Sequence, residues 1–168
     1  MRATNRPVSE WRKRATEGVS PGDRFSFSRA FSLGDLAAFG ELTRDYNPVH
    51  YDQAFAELKG FGGPICHGLL AGSMICEIGG QLGWLATGMQ FAFKKPIYPG
   101  DTISCELTVD DVDASRYARA HARLSNQDGV EVMTAALEGY LPDPAARDRL
   151  KQMMEAGDPT NPLRDERS

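Results

Sequence analysis

Alternation of apolar and polar positions with a period of two marks Asp23 to Phe31 as a strand, with Phe25, Phe27 and the pair Ala30-Phe31 on its buried side. Ser32 and Asp35 then have the spacing of a capping box. Leu33, Leu36, Ala37 and Leu42 recur behind them at helical intervals. Asp52 predicts the N-cap of a short helix over Gln53 to Lys59, stopped by Gly60. The stretch from Ile65 to Leu85 is almost continuously apolar. Its small residues Gly68, Gly72, Cys76, Gly79 and Gly83 fall on one stripe, which predicts a buried helix seated tightly in a concave sheet. After it the period returns to two. Strands are predicted over Met89 to Phe93, Thr102 to Val109, Tyr117 to Leu124 and Val130 to Leu141, with the last two joined at Asn126-Gln127-Asp128-Gly129.

The ends of the chain pattern less clearly. Residues 1–20 hold five basic residues against two acids with no clean period, and are expected to form a surface arm, partly ordered at best. From Pro142 the composition turns charged. Ala145 to Ala156 is expected to be a short surface helix carrying Leu150, Met153 and Met154 on one side, and the last dozen residues are expected to be disordered. The division that follows is an arm over 1–20, a compact domain over 21–142 and a charged tail over 143–168, partly helical or disordered.

Composition narrows the function. A chain of 168 residues suits one domain, and a net charge of -4 lacks the basic excess that phosphate backbones demand, so nucleic acid is not an expected partner. A bilayer needs roughly 20 apolar residues. The Ile65 to Leu85 stretch approaches that length, but Glu77, His67 and Gln81 interrupt it, and a buried helix explains the pattern without placing a charge in lipid. Cys66, Cys76 and Cys105 are odd in number and lack metal-ligand spacing, which suggests neither a disulfide framework nor a zinc cluster. A cytoplasmic protein without an export signal is the expectation.

The candidate chemistry lies in Thr43-Arg44-Asp45-Tyr46-Asn47-Pro48-Val49-His50. On an unbroken helix Asp45 and His50 would point about 140° apart. Pro48 cannot continue a helix and keeps Asn47 extended, so the backbone bends and can aim both side chains into one cleft. A carboxylate facing an imidazole can hold a water and move its protons.

Three ordered blocks carry a family resemblance: Asp45-Tyr46-Asn47-Pro48-Val49-His50-Tyr51-Asp52, Gly63-Pro64-Ile65-Cys66-His67-Gly68, and Lys95-Pro96-Ile97-Tyr98-Pro99-Gly100-Asp101. Over roughly Gly22 to Leu141 the chain resembles the MaoC-like, R-specific enoyl-CoA hydratases. The resemblance implies an α+β fold: a single hot-dog domain, its antiparallel sheet wrapped around a central apolar helix. It also implies reversible addition of water to a trans-2-enoyl thioester, giving the (R)-3-hydroxyacyl product without metal or redox cofactor. Asp45 and His50 match the acid/base pair, and Gly68 matches the glycine whose backbone N–H steadies the thioester oxygen. The physics agrees, because the first turn of a helix offers unpaired N–H groups and a favourable dipole. Asn47 takes a supporting role, orienting the bend or the water.

Some assignments stay open at this stage. Family members that carry a serine two helical turns after the glycine have its place taken here by Cys76, a weaker donor. Lys94 and Lys95 could meet coenzyme A phosphates or simply be solvated, and Arg44 could bind an acidic group or face water. Phe61 and Trp84 could shape an acyl pocket or fill the core. His67 is expected to serve structure, a metal on Asp45, His50 and His67 is not expected, and Cys66 is not expected to be a nucleophile. The resemblance implies a homodimer joined sheet edge to sheet edge. It leaves open which of Asp45 and His50 is the base, and whether the carrier is coenzyme A or acyl carrier protein. A hot-dog thioesterase and a non-catalytic acyl-thioester-binding or assembly subunit are the alternative functions.

Overall fold

In the computed structural model, which describes residues 8–165, Phe25 and Phe27 point inward from the first strand, as their alternation requires. The elements in chain order are α1 (Val8–Glu17), β1 (Arg24–Ala30), α2 (Leu33–Thr43), a 3-10 turn (Pro48–His50), α3 (Gln53–Leu58) and α4 (Gly68–Leu82). Then follow β2 (Leu85–Phe93), β3 (Thr102–Val112), β4 (Tyr117–Ser125), β5 (Glu131–Tyr140), α5 (Pro144–Glu155) and a 3-10 turn over Pro162–Asp165. The strands make one antiparallel sheet in the order β1-β3-β4-β5-β2. Gly129, at φ 75°, turns β4 into β5 where Asp-Gly predicts it.

The helix α4 supplies the centre. Leu70, Ala71, Met74, Ile75, Ile78 and Leu82 are buried in one core with Ile103, Cys105, Leu107 and Val109 of β3 and with Leu124 of β4. Gly83 stops α4 in the left-handed region at φ 65°, and Trp84 N–H returns to Gly79 C=O at 2.9 Å, so β2 starts at Leu85, earlier than its alternation suggests. The glycine stripe serves two ends differently. A Cβ on Gly68 or Gly72 would press on Phe93 or Phe91, whereas Gly79 has open space and Cys76 is exposed, so only the first half of α4 uses small residues for close approach. No described helix is long and apolar enough to cross a membrane.

Both chain ends depart from expectation. In place of a surface arm, residues 8–17 form a helix that seats Trp11, 4% exposed, edge-on against Phe25 and Phe27. Residues 1–7 lie outside the described structure. The tail is packed on the domain as well, with residues 166–168 outside the described structure: Asn161 is buried and its amide donates to Gln81 of α4 at 2.8 Å, while Asp158 pairs with Arg12 of α1 at 3.4 Å. One buried tryptophan and one buried asparagine carry these contacts, and neither creates a periodic signal.

Candidate active site

The capping box that starts α2 is complete, with Asp35 N–H donating to Ser32 Oγ at 3.1 Å and Ser32 N–H to the Asp35 carboxylate at 2.8 Å. Eleven residues on, the helix ends at Arg44, which takes the left-handed conformation at φ 59°. The chain then bends as Pro48 demands. Asn47 caps the turn by accepting from Val49 N–H at 3.2 Å, and its own N–H donates to one oxygen of Asp45, also at 3.2 Å. The other Asp45 oxygen lies 3.8 Å from His50 Nε2.

Backbone bonds stitch the three sequence blocks together. Ile65 N–H donates to Val49 C=O at 3.2 Å, and Cys66 N–H donates to Ile97 C=O at 2.7 Å. His50 Nδ1 lies 2.8 Å from Ile65 C=O. A carbonyl only accepts, so Nδ1 carries a hydrogen, and in the neutral ring Nε2 presents its lone pair toward Asp45. The His50 side chain is one-tenth exposed and that of Asp45 one-half, so the pair sits at the junction of interior and opening.

Beside the pair lies a cavity of about 530 Å³. Asp45, His50, His67 and Gly68 line one part of it; the rest is largely apolar, with Phe39, Phe61, Ile65, Leu69, Phe93 and Met133. Gly68 is the first residue of α4, whose N-cap His67 makes no side-chain cap; Leu70 N–H turns back to His67 C=O at 3.1 Å, and the Gly68 amide, ahead of it, lies at the cavity wall. A donor there can face developing negative charge.

The structure gathers Asp45, His50, Gly68, Lys94 and Lys95 around one cavity, and leaves Asn47 and Cys76 outside its lining. Cys76 follows Gly68 by eight residues, which on a helix turns it about 80° and carries it roughly 12 Å along the axis. It is exposed instead. Lys94 is ion-paired to Glu131, which also takes Arg123 at 2.7 Å; hydrogen bonds from Lys94 and then Arg123 hold the Glu131 carboxyl below its usual range. Among the described residues Lys95 forms no ion pair. Arg44 is exposed and does not line the cavity, nor does Trp84, whereas Phe61 does.

His67 is 2% exposed, and its ring stacks on that of His50 with centroids 3.9 Å apart and planes 28° apart. Ligand atoms of Asp45, His50 and His67 come within 4.8 Å of one another. One nitrogen of each ring is already engaged with a backbone carbonyl, His50 Nδ1 with Ile65 at 2.8 Å and His67 Nε2 with Asp45 at 2.9 Å. Cys66 reaches the cavity, but burial first, with Asp101 and Asp35 nearby, pushes its thiol up to about 11, which opposes thiolate chemistry. Pattern reading gave no site role to Phe93, which lines the cavity, or to Tyr51, whose hydroxyl lies 3.3 Å from the Asp45 carbonyl. The alternation that puts Phe91 and Phe93 on one side of β2, facing glycines four residues apart on α4, was the signal for the first. Nothing local announced the second.

Comparison with known proteins places this geometry. The profile of the family described as "MaoC like domain" matches residues 12–129. The (R)-specific enoyl-CoA hydratase of Aeromonas caviae is 30% identical over 133 residues, covering 76% of this chain and 99% of the hydratase. The mitochondrial 3-hydroxyacyl-[acyl-carrier-protein] dehydratase of Arabidopsis thaliana is 34% identical, with 49% of this chain and 51% of that protein covered. Among solved structures, the Aeromonas caviae (R)-hydratase superposes with a TM-score of 0.70 at 31% identity, over 75% of this chain and 99% of its own. The unliganded R-hydratase of Pseudomonas aeruginosa gives 0.69 at 27% identity, over 76% and 85%. Family profile, relatives and fold agree, and the chain belongs to the MaoC-like family.

Proposed function

We propose that this protein is a hydro-lyase that reversibly hydrates trans-2-enoyl-CoA thioesters to (R)-3-hydroxyacyl-CoA. The observation that carries the reading is the approach of Asp45 Oδ2 to His50 Nε2, 3.8 Å, in a cavity that also exposes the start of α4 at Gly68. That separation exceeds a direct hydrogen bond and leaves both atoms able to engage one substrate water. As the water oxygen bonds to the β-carbon, the Asp45/His50 pair accepts one proton and a proton returns to the α-carbon on the same face. The pair ends the cycle with the proton count it started with. Negative charge reaching the thioester oxygen is met by the Gly68 amide, a preorganised donor worth roughly 3 kcal/mol of barrier in comparable sites.

The apolar wall from Phe39 to Met133 suits an acyl chain, and Lys95 is the cation left to meet coenzyme A phosphates, since Lys94 is taken by Glu131. The coenzyme A carrier is favoured by the relative whose length the chain covers almost completely. Strand β2 ends the sheet and exposes Leu85, Met89 and Phe93, which supports a homodimer joined along that edge.

Crotonyl-CoA tests the reading. Loss of its enoyl ultraviolet absorbance, with (R)-3-hydroxybutyryl-CoA as product, is expected; release of free thiol instead would show a thioesterase. Thermal stabilisation by acyl-CoA without turnover would show a binding subunit.

A further inference from the structure

His67 performs no step in the proposed hydration, yet it is more deeply buried than either member of the acid/base pair. Its Nε2 lies 2.9 Å from the backbone carbonyl of Asp45, 22 residues earlier in the chain. Because that carbonyl only accepts, Nε2 carries the hydrogen. Nδ1 is buried without a hydrogen-bond partner, so a second ring hydrogen would be an orphan donor, and the geometry suits a neutral ring.

A second donor converges on the same carbonyl. The Tyr51 hydroxyl lies 3.3 Å from Asp45 O and 3.4 Å from His67 Nε2. Since that nitrogen already bears a hydrogen, the phenol donates to the carbonyl. Desolvation first, then the neighbouring Tyr46, Asp45 and Glu41, pushes the Tyr51 phenol up and keeps its proton in place. The phenol needs room to get there: a Cβ on Gly40 would lie 1.8 Å from it. Two side chains from different segments therefore hold one peptide group, just where α2 has ended and helical bonds no longer fix the backbone.

We propose that His67 is a positioning residue for the hydration reaction. Its Nε2–H pins the Asp45 backbone while its ring face limits the slip of His50, so that the carboxylate and Nε2 of the pair keep a common aim. The inference rests on the hydratase reading and adds to it a third residue that acts through the other two.

Two substitutions separate the hydrogen bond from mere space-filling. His67→Gln places an amide nitrogen the same number of bonds from Cα as Nε2, whereas His67→Asn stops one bond short. In the full chain with crotonyl-CoA, the Asn variant should lose roughly tenfold or more in kcat, because misplacing a reacting group by a fraction of an ångström is costly. KM should stay within about twofold of wild type, since only transition-state geometry is disturbed. The Gln variant should recover most of the loss. Equal kcat in the two variants, high or low, overturns the proposal, as does a loss that appears in KM instead.

Thermal unfolding of each variant accompanies the kinetics. If the Asn variant fails to fold, Tyr51→Phe removes the other donor to the same carbonyl; a reduced kcat at constant KM supports the proposal and wild-type kcat overturns it. Asp45→Asn is assayed alongside. An unchanged rate there overturns the catalytic assignment and His67's role with it, whereas an inactive Asp45→Asn with indistinguishable His67 variants overturns the positioning role alone.

Discussion

A methyl group on Gly68 would lie 2.4 Å from the ring of Phe93, so the first residue of α4 and the end of β2 meet at a contact only glycine permits. Phe93 is 58% exposed in the single chain and lies on the edge strand proposed to meet a partner, so displacing its ring disturbs that edge and leaves the buried core in place. The movement falls on the cavity, which both residues line. Gly68→Ala keeps the backbone N–H and is expected to lower kcat/KM roughly tenfold or more through misplaced substrate. Thermal unfolding should move by only a few degrees, roughly what 1 kcal/mol gives in a domain of this size. A large drop in stability with normal turnover would contradict this account of the contact.

Asp45→Asn and His50→Ala should each lower the hydration rate by a factor on the order of 10² or more, because each removes one end of the proton path. The double variant is expected to lose little beyond the worse single variant, since the two residues act as a unit. Absorbance of crotonyl-CoA measures all three. Full turnover in both single variants would remove the assignment.

What could be read from sequence here was what local chemistry encodes. Ser32 and Asp35 cap α2, Asn47 and Pro48 make the bend, and these neighbours turn the chain so that Asp45 and His50 can approach. The position of Cys76 depended instead on the angular phase of α4: the resemblance matched it to a serine two turns after the glycine, and here it is exposed and does not line the cavity. Trp11 was hidden for a different reason. Its partners Phe25 and Phe27 lie on another element, and charged neighbours in α1 mask a single buried ring. His67 was read as structural, but its bond to the Asp45 carbonyl spans 22 residues and has no signature in spacing.

Lys95 and Lys94 should behave differently despite being adjacent. Lys95→Ala is expected to raise KM for crotonyl-CoA with little change in kcat, and the increase should shrink at high salt as the phosphates are screened. Lys94→Ala removes the partner of Glu131 and should leave KM nearly unchanged. Initial rates at two ionic strengths decide it. Equal effects of the two substitutions would deny Lys95 a distinct role.

Trp11→Ala tests whether α1 belongs to the folded domain. Removing a ring buried to 4% exposure, edge-on to Phe25 at 6.3 Å and Phe27 at 5.6 Å, is expected to cost about 3 kcal/mol. For a domain of this length that lowers Tm by roughly 10 °C. No residue of α1 lines the cavity, so KM at a temperature below unfolding should not change. An unaltered Tm would return α1 to the status of a surface arm.

The capping box on α2 gives a pH dependence with a definite sign. The Ser32 hydroxyl, the Ser32 N–H and Arg29 hold the Asp35 carboxyl below its ordinary value of 3.8, against partial desolvation. The folded state therefore binds this proton less readily than the unfolded chain. Its stabilising contribution is fully present above the unfolded value and is lost as pH falls through the lower, folded value. Asp35→Asn should lower Tm at pH 7 by a few degrees, the equivalent of about 1 kcal/mol for a lost cap. Between pH 7 and 5 the gap to wild type should hold constant, and below about pH 4 it should narrow as the wild-type carboxyl protonates and comes to resemble the amide. Calorimetric scans of both proteins across that range measure the gap; one that persists undiminished into strong acid would show that the ionised carboxylate is not what secures the start of α2.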